Sequence, residues 1–543
     1  MRPRLRLALE ALYVLLLSAA AWLLVADHAR GDSITIDETL HIFAGAEYVQ
    51  HGTYVTNPEH PPLTKDLAGL ALLPLRLQPP RIVAIGPLPP VEELTRFYTT
   101  NHAPLRTIVA AARTPFRWLL VLLIAVVYVA ARTAWGVPAA MLASALIALD
   151  PNFIAHAGLV HTDVAAALFM TLATVLAVAG RWPWAGVALG LALLAKFSAL
   201  ILVPLMVAAP FLGRERMGRI GRTALMGVMA VAIAAVIVLL GYAANLRSMP
   251  ATLAAQSVTN FLRVRDVPHV ERYAALTEAV PQAGMFAAGV RGVQQSSAHG
   301  QSWNYLRGKL SREGFPHYFF IAFLVKSTPA MLLVTLAIFF GGRLLRSPWA
   351  LGLLAPAALL LAVSLPSSFN IGIRHILPIY PLLAITGAGV LAARLPRRAF
   401  VVAATLLIAS AAVSAGTSHP HELAYFNAIA RGDGAAWLSD SNLDWGQDVD
   451  RLQTLLRERG WERDTAVVVL SSPALWPELA RYPPRANRVA ISAYMEQIGA
   501  RELTADLRRR GRKVATAGAS ISVWELGLPH HQNRPDDGQR NPD

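Results

Sequence analysis

The sequence predicts an α-helical polytopic membrane protein, with about eleven transmembrane helices and a small external α/β domain at its C-terminal end. Hydrophobic residues make up 55% of the 543 residues and charged residues only 15%, compared with roughly 25% in soluble domains. The apolar residues are concentrated in long runs that are typical of bilayer spans. Arginines flank most of these runs on one side. This composition excludes a water-soluble or disordered chain.

Ten apolar runs are predicted to lie in the membrane. They are residues 7–26, 118–131, 138–149, 164–179, 183–212, 224–242, 318–340, 350–365, 376–391 and 399–415. The first follows three arginines, a pattern that a cleaved signal peptide would share. We expect a retained helix, because the loop after it carries an acidic pair that would need a tether to work at the membrane surface. The N-terminus then lies in the cytoplasm.

The run 183–212 is too long for one crossing. A single helix would extend about 45 Å at 1.5 Å per residue, whereas the hydrocarbon core is about 30 Å thick. Arginines lie at both of its ends, so both ends should face the cytoplasm. We therefore expect two crossings with a turn near Lys196. The total becomes eleven, and the C-terminus lies outside.

The external parts follow from this topology. The transmembrane domain, 1–416, carries two large external loops, 28–116 and 243–317. The C-terminal part divides into an α/β domain, 417–527, and a polar, proline-rich tail, 528–543, that is expected to be disordered. Within the α/β domain, helices are predicted at 449–458 and 501–510, and strands at 466–470 and 521–524.

Charge and cysteine content exclude several classes of function. The net charge is +15, but the arginines lie where the orientation of membrane spans places them, so no nucleic-acid partner is expected. Cysteine is absent, which excludes a disulfide framework, a thiolate nucleophile and a zinc–sulfur site.

The first external loop contains two groups of polar residues. Asp37 and Glu38 are adjacent carboxylates, suited to a general base or to metal ligation, although an ordinary acidic turn has the same appearance. Further on, two prolines fix the backbone beside Glu59 and His60, and Lys65 follows closely. A rigid loop with scattered polar residues is the alternative interpretation of this second group.

Three ionisable residues lie next to or within apolar runs. Asp163, Lys196 and Lys326 would be costly at membrane depth unless they lined a functional cavity, although the lysines could also snorkel to the interface. His156 and His161 are five residues apart, a spacing that does not place them on one helical face. We do not expect that pair alone to bind a metal.

The external turn 367–375 contains Asn370, Arg374 and His375. Arg374 breaks the rule that positive charge stays inside. A guanidinium at the outer interface suits a lipid phosphate, which it can bind through two hydrogen bonds. The alternative is an ion pair with an acid of a neighbouring loop.

The densest polar segment, 440–448, begins the C-terminal domain and contains Asp444, Trp445 and Gln447. Its aspartates, asparagine and glycine would also form a capping turn. Capping leaves Trp445 and Gln447 unexplained, and that pair is typical of sugar contacts. Docking of the domain onto the membrane half is the other interpretation.

Together these segments resemble the polyprenyl-phosphate-dependent glycosyltransferases of the large multi-spanning class. The nearest relatives are the protein O-mannosyltransferases and the lipid A aminoarabinose transferases, a family 39-like group. The matching segments are 37–38, 59–63, the surroundings of Asp163, 370–378, 425–427 and 440–448. The resemblance implies the large-class glycosyltransferase fold and transfer of a sugar from a polyprenyl-phosphate donor, on the outer face, to a protein, lipid or envelope glycan.

The resemblance also implies site residues. The first acid of the pair is the family's proposed base, which is Asp37 here, with Glu38 beside it as the second catalytic residue. A glutamate before the double proline helps to hold a metal, a role that falls on Glu59. The family's neighbouring lysine meets the lipid phosphate, but His60 stands in its place, so Lys65 or Arg374 would supply the positive charge.

The full prediction names ten substrate-binding residues. They are His60, Lys65, Asp163, Lys326, Asn370, Arg374, His375, Asp444, Trp445 and Gln447. No cofactor is required, although a divalent ion at Glu59 would be compatible with the sequence. The expected location is a bacterial inner membrane. Two alternatives stay open, a secondary transporter or flippase and a non-catalytic scaffold for envelope assembly.

Overall fold

The computed structural model describes residues 3–82, 85–212, 217–300, 303–472, 475–476, 479 and 486–526. The chain begins with helix α1 (Pro3–Gly31). Much of its apolar surface is exposed, including Leu12, Leu15 and Leu23. A helix that exposes so many leucines is suited to lipid rather than to water.

The first loop forms three helices, and the first of them carries Asp37. They are α2 (Ile36–His51), α3 (Leu63–Leu72) and α4 (Val91–Thr99). Helices α2 and α3 pack backbone to backbone: a Cβ on Gly45 would lie 2.2 Å from the Lys65 carbonyl oxygen. Only glycine permits this approach, and it holds the end of the Glu59–Lys65 segment against α2.

The following membrane segment contains seven helices. They are α5 (Leu105–Trp135), α6 (Val137–Ala148), α7 (Pro151–Ala157), α8 (Asp163–Val178), α9 (Trp182–Ala195), α10 (Leu202–Leu212) and α11 (Met217–Asn245). The chain between α9 and α10 breaks at Lys196, whose backbone is extended, and continues through a short 3-10 turn, Phe197–Ile201. The helix break expected near Lys196 is therefore present.

The loop 243–317, which was predicted to be external, folds into helices α12 (Ala251–Arg263), α13 (Val270–Ala279) and α14 (Pro281–His299), followed by a small antiparallel hairpin of β1 (Asn304–Leu306) and β2 (Lys309–Ser311). The last membrane helices are α15 (Tyr318–Lys326), α16 (Pro329–Ile338), α17 (Pro348–Ser364), α18 (Ile379–Arg394) and α19 (Arg397–Ser418).

The apolar run 318–340, expected as one helix, is divided into α15 and α16. Pro329 lacks the N–H that would continue α15, and the Thr328 hydroxyl instead accepts a hydrogen bond from the Met331 N–H at 3.1 Å. The side-chain cap thus starts a new helix where the sequence hydropathy shows no interruption.

The C-terminal part contains helices α20 (Val449–Arg459) and α21 (Arg501–Arg510) and strands β3 (Thr465–Val468), β4 (Arg488–Ser492), β5 (Gly511–Ala517) and β6 (Ile521–Leu526). The sheet order is β3-β4-β6-β5, with β3 and β4 parallel and the other pairs antiparallel. Both helices and strands β3 and β6 were expected, whereas β4 and the polar edge strand β5 were not. The predicted tail, 528–543, lies outside the described residues.

By length and composition, four helices of the described chain can cross a membrane: α1, α5, α11 and α19. The pair α6 and α7, bent by 57°, would make a fifth span, and six further apolar helices have 10 to 17 residues. The fold is therefore that of a mostly helical, polytopic membrane protein, and the count of eleven crossings stays a prediction.

Candidate active site

The start of helix α2 is held in place by Glu38. Its carboxylate is fully buried and accepts two hydrogen bonds from Arg113 of α5, at 2.8 and 2.6 Å. It also accepts from the backbone N–H groups of Thr35 and Val160, at 3.0 and 2.8 Å. Because both oxygens are occupied inside the protein, Glu38 positions the adjacent Asp37 and does not itself face a substrate, contrary to the catalytic role expected for it.

Asp37 is the accessible member of the pair. Its side chain is 33% exposed, and its Oδ2 lies 3.3 Å from His161 Nε2 and 3.4 Å from Arg374 Nη1. Partial burial alone would raise the pKa of Asp37, but the neighbouring His161 imidazole and the Arg374 charge outweigh it and hold the pKa below its usual range. Asp37 is therefore ionised at neutral pH, which is the state that a general base requires.

Arg374 brings the external turn 367–375 to the same place. Its Nη1–H donates to His161 Nε2 at 2.7 Å, and its guanidinium carbon lies 4.3 Å from the centre of the Trp445 ring. The Nε–H is buried and has no hydrogen-bond partner among the described residues. Arg374 therefore pairs with Asp37 on one edge and keeps a donor available on another.

Asp163 is a buried carboxylate, and both of its oxygens have hydrogen-bond partners. His161 Nδ1 donates to one oxygen at 2.6 Å, and Lys196 Nζ donates to the other at 2.6 Å. Lys196 thus sits at the helix break as a counter-ion. Asp163 orients His161 rather than meeting a substrate, and this pairing explains how a carboxylate is tolerated there.

Three histidines converge beside Asp37. His41, His60 and His161 each offer a ring nitrogen, and the three nitrogens lie within 4.8 Å of one another. Burial lowers the pKa of His41 to about 3 and also lowers that of His60, so both rings are neutral. No motif in the sequence indicated a role for His41, although this histidine lies one helical turn after Asp37 on the same face of α2.

Glu59, which was expected to hold a metal ion, forms an ion pair in the structure. Its side chain is 38% exposed and forms an ion pair with Arg265, at the end of α12. His60 Nε2 lies 3.9 Å from the Glu59 carboxylate, beyond hydrogen-bond distance. Among the described residues, Glu59 is not part of the group of three or more metal-ligand side chains that converge in the structure.

Lys65 also has a role other than the expected phosphate contact. Its ammonium group is buried and donates to the Tyr48 hydroxyl and to the carbonyl oxygens of Asn57 and His60. Burial lowers the pKa of Lys65 to about 7. All three donors are occupied, so Lys65 fixes the loop that carries His60.

Lys326 joins the C-terminal segment to the membrane half. Its Nζ donates to the carbonyl oxygens of Leu423 and Asn442, at 2.8 and 2.7 Å, and lies 4.6 Å from the centre of the Phe426 ring. These contacts bury the ammonium group, and Lys326 is 1% exposed. The expected substrate contact is therefore replaced by a structural one.

Asn370 and His375, both expected to bind substrate, differ in whether their side-chain polar atoms have hydrogen-bond partners. The Asn370 amide oxygen accepts from Phe315 N, and its nitrogen donates to the Ser367 carbonyl at 3.1 Å, so it shapes the turn that carries Arg374. His375 is partly exposed, and its Nε2 has no partner among the described residues. Of the two, only His375 keeps a free polar atom.

The segment 440–448 packs against Arg374 through the ring of Trp445. Gln447 accepts from the Trp445 N–H and donates to the Leu443 carbonyl, both at 2.8 Å. Asp444 accepts from the N–H groups of Gly446 and Tyr494, at 3.2 and 2.9 Å. Trp445 is 2% exposed. These three residues were expected to contact substrate. In the structure Trp445 packs against the Arg374 guanidinium, and Asp444 and Gln447 use their polar atoms on nearby backbone groups.

No protein-family profile matches the chain, and no curated protein matches it in sequence. Solved structures similar to it include that of ArnT from Cupriavidus metallidurans bound to undecaprenyl phosphate. It has 15% identity and a TM-score of 0.48, over 94% of this chain and 97% of that one. The apo oligosaccharyltransferase of Archaeoglobus fulgidus has the same identity and TM-score, over 89% of this chain and 70% of its own.

A third similar structure is the Pmt1–Pmt2 protein O-mannosyltransferase complex of S. cerevisiae bound to the sugar donor. It has 18% identity and a TM-score of 0.36, over 44% of this chain and 34% of its own. Identities this low and TM-scores below 0.5 transfer neither a substrate nor a site residue to this chain.

Proposed function

We propose that this chain is an integral-membrane glycosyltransferase that moves a sugar from a polyprenyl-phosphate donor to an acceptor hydroxyl or amine. The observation that carries the proposal is the juxtaposition of Asp37 and Arg374. An ionised, one-third exposed carboxylate lies 3.4 Å from a guanidinium that retains an unpartnered Nε–H. One group can accept a proton and the other can bind a departing phosphate, and both belong to a polytopic chain that a lipid-linked donor could reach.

The reaction needs a base and a stabilised leaving group. The acceptor oxygen or nitrogen attacks the sugar's anomeric carbon, and the bond from that carbon to the phosphate oxygen breaks with its electron pair going to the phosphate. Asp37 takes the acceptor's proton, and Arg374 offsets the negative charge on the lipid phosphate. A single displacement of this kind inverts the configuration at the sugar carbon.

The finer parts of the proposal concern topology and partners. Eleven crossings place the N-terminus in the cytoplasm and the site, with the 417–527 domain, on the outer face of a bacterial inner membrane. The acceptor is a protein, a lipid or an envelope glycan. The transfer step as drawn needs no cofactor.

Asp37→Asn tests the proposal directly. Asparagine has nearly the same size and can hydrogen-bond but cannot take a proton, so turnover should fall by roughly 10²–10⁴-fold, the usual contribution of a positioned base. Sugar transfer is measured in membranes at matched protein levels, together with donor binding, which should persist. Glu92→Gln, an exposed acid of the same loop, is the matched control. Full transfer by Asp37→Asn would contradict the assignment of Asp37 as the base. If the protein were a transporter or a scaffold, even the wild type would show no transfer.

A further inference from the structure

We infer that His41, His60 and His161 form a binding site for one divalent transition-metal ion of the Zn²⁺ type. Their ring nitrogens lie within 4.8 Å of one another. Tetrahedral Zn²⁺ has Zn–N bonds of about 2.0–2.1 Å, which places ligand nitrogens about 3.3 Å apart. Small side-chain rotations would therefore bring the three rings onto one ion. The residues come from helix α2 and two separate loops, so only the fold assembles the site.

Two of the three rings are oriented as metal ligands usually are. His41 Nδ1 lies 2.9 Å from the Val160 carbonyl oxygen, and His161 Nδ1 lies 2.6 Å from the Asp163 carboxylate. Such partners hold the proton on Nδ1 and leave the lone pair on Nε2, which on His161 accepts a hydrogen bond from Arg374 that an ion would replace. Lys196 fixes Asp163 in turn. The orientation of both rings is thus set by groups behind them.

The third ring completes the site from its open side. The His60 side chain is 24% exposed and forms no hydrogen bond through its ring within the described residues, so its nitrogens are available. Lys65 donates to the His60 carbonyl oxygen at 2.8 Å and holds the backbone of that loop. An ion could therefore enter from the His60 side while the two anchored rings stay in place.

Two carboxylates near the cluster favour a divalent ion, whereas Arg374, Lys65 and Lys196 oppose it. Asp37 Oδ2 lies 3.3 Å from His161 Nε2, the separation of two ligands in one tetrahedral shell, and Asp163 adds a second carboxylate behind it. Arg374 opposes the ion, because its Nη1 donates to His161 Nε2 at 2.7 Å and must turn away when the ion binds. Three imidazoles with an adjacent open position are the donor set of catalytic zinc sites.

The role of the ion rests on the proposed glycosyl transfer. Bound beside Asp37 and Arg374, it would add positive charge where the lipid phosphate departs. The occupancy of the site, by contrast, depends only on the three histidines. Metal binding and sugar transfer can therefore be tested separately.

The test uses full-length protein in detergent, without an affinity tag, stripped with a chelator and titrated with Co²⁺ and with Zn²⁺. We expect one Co²⁺ per chain, with visible absorption bands of a nitrogen-rich tetrahedral site, displaced by Zn²⁺. His60→Gln and His41→Gln should each weaken binding by at least about tenfold. His269→Gln, which alters an exposed histidine paired with Glu271, should change nothing.

His60→Gln keeps the test informative if His41→Gln fails to fold, because the His60 ring supports no hydrogen bond among the described residues. Its metal-free melting temperature should equal that of the wild type. Equal Co²⁺ binding by the wild type and His60→Gln would overturn the site, as would loss of binding in Glu59→Gln alone. Metal binding without sugar transfer would support the site and contradict the proposed function, whereas transfer without metal binding would do the reverse.

Discussion

The guanidinium of Arg374 contacts an aromatic ring as well as polar side chains. Below it is the buried ring of Trp445, a favourable partner for a planar cation, and beside it are His161 and Asp37. The stacked face holds the group in one orientation, while the Nε–H is left without an acceptor. A planar, pre-oriented fork of this kind suits phosphate better than a flexible ammonium would.

Arg374→Ala should therefore weaken use of the lipid donor by roughly ten- to a hundredfold, since a hydrogen bond to a charged group contributes about 1.5–3 kcal/mol. Arg374→Lys should recover only part of this loss, because an ammonium cannot reproduce the guanidinium geometry. The measurement is a titration with a polyprenyl-phosphate sugar. Arg307→Ala removes a similar stack on Trp437, at 4.8 Å, and serves as the control. Unchanged kinetics in both Arg374 variants would exclude the residue from the site.

At the scale of elements, the start of helix α2 depends on α5. Arg113 is 1% exposed and donates to Glu38 and to the carbonyl oxygens of Ala29, Asp32 and Ser33. One side chain thus links the end of α1, the loop after it and α2. The direction of Asp37 follows from this clamp and not from its own contacts alone.

Glu38→Gln should consequently lower stability as well as activity. Removing one partner of a buried ion pair leaves the other charge uncompensated and typically costs about 3–5 kcal/mol. The measurement is thermal unfolding in detergent, with the exposed Glu92→Gln as the control. From the sequence we would expect Glu38→Gln to be milder than Asp37→Asn, but its burial implies an effect on folding that Asp37→Asn should lack. An unaltered melting temperature would contradict the clamp.

A second link between elements is the buried ammonium of Lys326. Lys326→Met keeps the length of the side chain but leaves the carbonyl oxygens of Leu423 and Asn442 without this donor, at about 1–3 kcal/mol for each unsatisfied group. We expect faster proteolysis between α19 and α20 and a lower melting temperature. Lys309→Met, an exposed lysine of the β1–β2 hairpin, should leave both unchanged. Equal proteolysis of the two variants would contradict this docking role.

At the scale of the whole molecule, the membrane half and the C-terminal part meet at the candidate site. The Ser33 and Ile36 N–H groups donate to the carbonyl oxygens of Gln447 and Trp445, at 2.8 and 3.2 Å. Arg451 forms ion pairs with Asp32 and Asp448, both at 2.6 Å. The C-terminal part therefore contributes the floor of the site and belongs on the same side of the membrane as Asp37.

Cysteine labelling tests that topology, because the native chain contains no cysteine. With eleven crossings, a cysteine at Gly218, at the start of α11, is cytoplasmic, and a cysteine at Glu462, which is half exposed, is external. An impermeant thiol reagent added to intact cells should label the Glu462→Cys variant and spare Gly218→Cys until the membrane is permeabilised. Labelling of Gly218→Cys in intact cells would overturn the eleven-span arrangement.

Local properties of the sequence were sufficient for much of the architecture. Apolar runs predicted the four long helices α1, α5, α11 and α19, and the charge pattern around 183–212 predicted the break at Lys196, because hydropathy and charge act over single helices. Helix α21 was recognised from its own periodicity. The adjacency of Asp37 and Glu38 to the first helix likewise pointed to the loop that carries the candidate site.

The sequence by itself left open which polar residues bond to other parts of the protein and which keep atoms without a partner. It could not show that Glu38, Lys65 and Lys326 use their polar atoms inside the protein, while Asp37 stays one-third exposed and the buried Arg374 keeps an Nε–H without a partner among the described residues. It also could not bring His41 and His60 to His161. Each of these facts depends on contacts between residues that are distant along the chain, and burial and hydrogen-bond partners are set by the packing of helices against one another rather than by any local pattern.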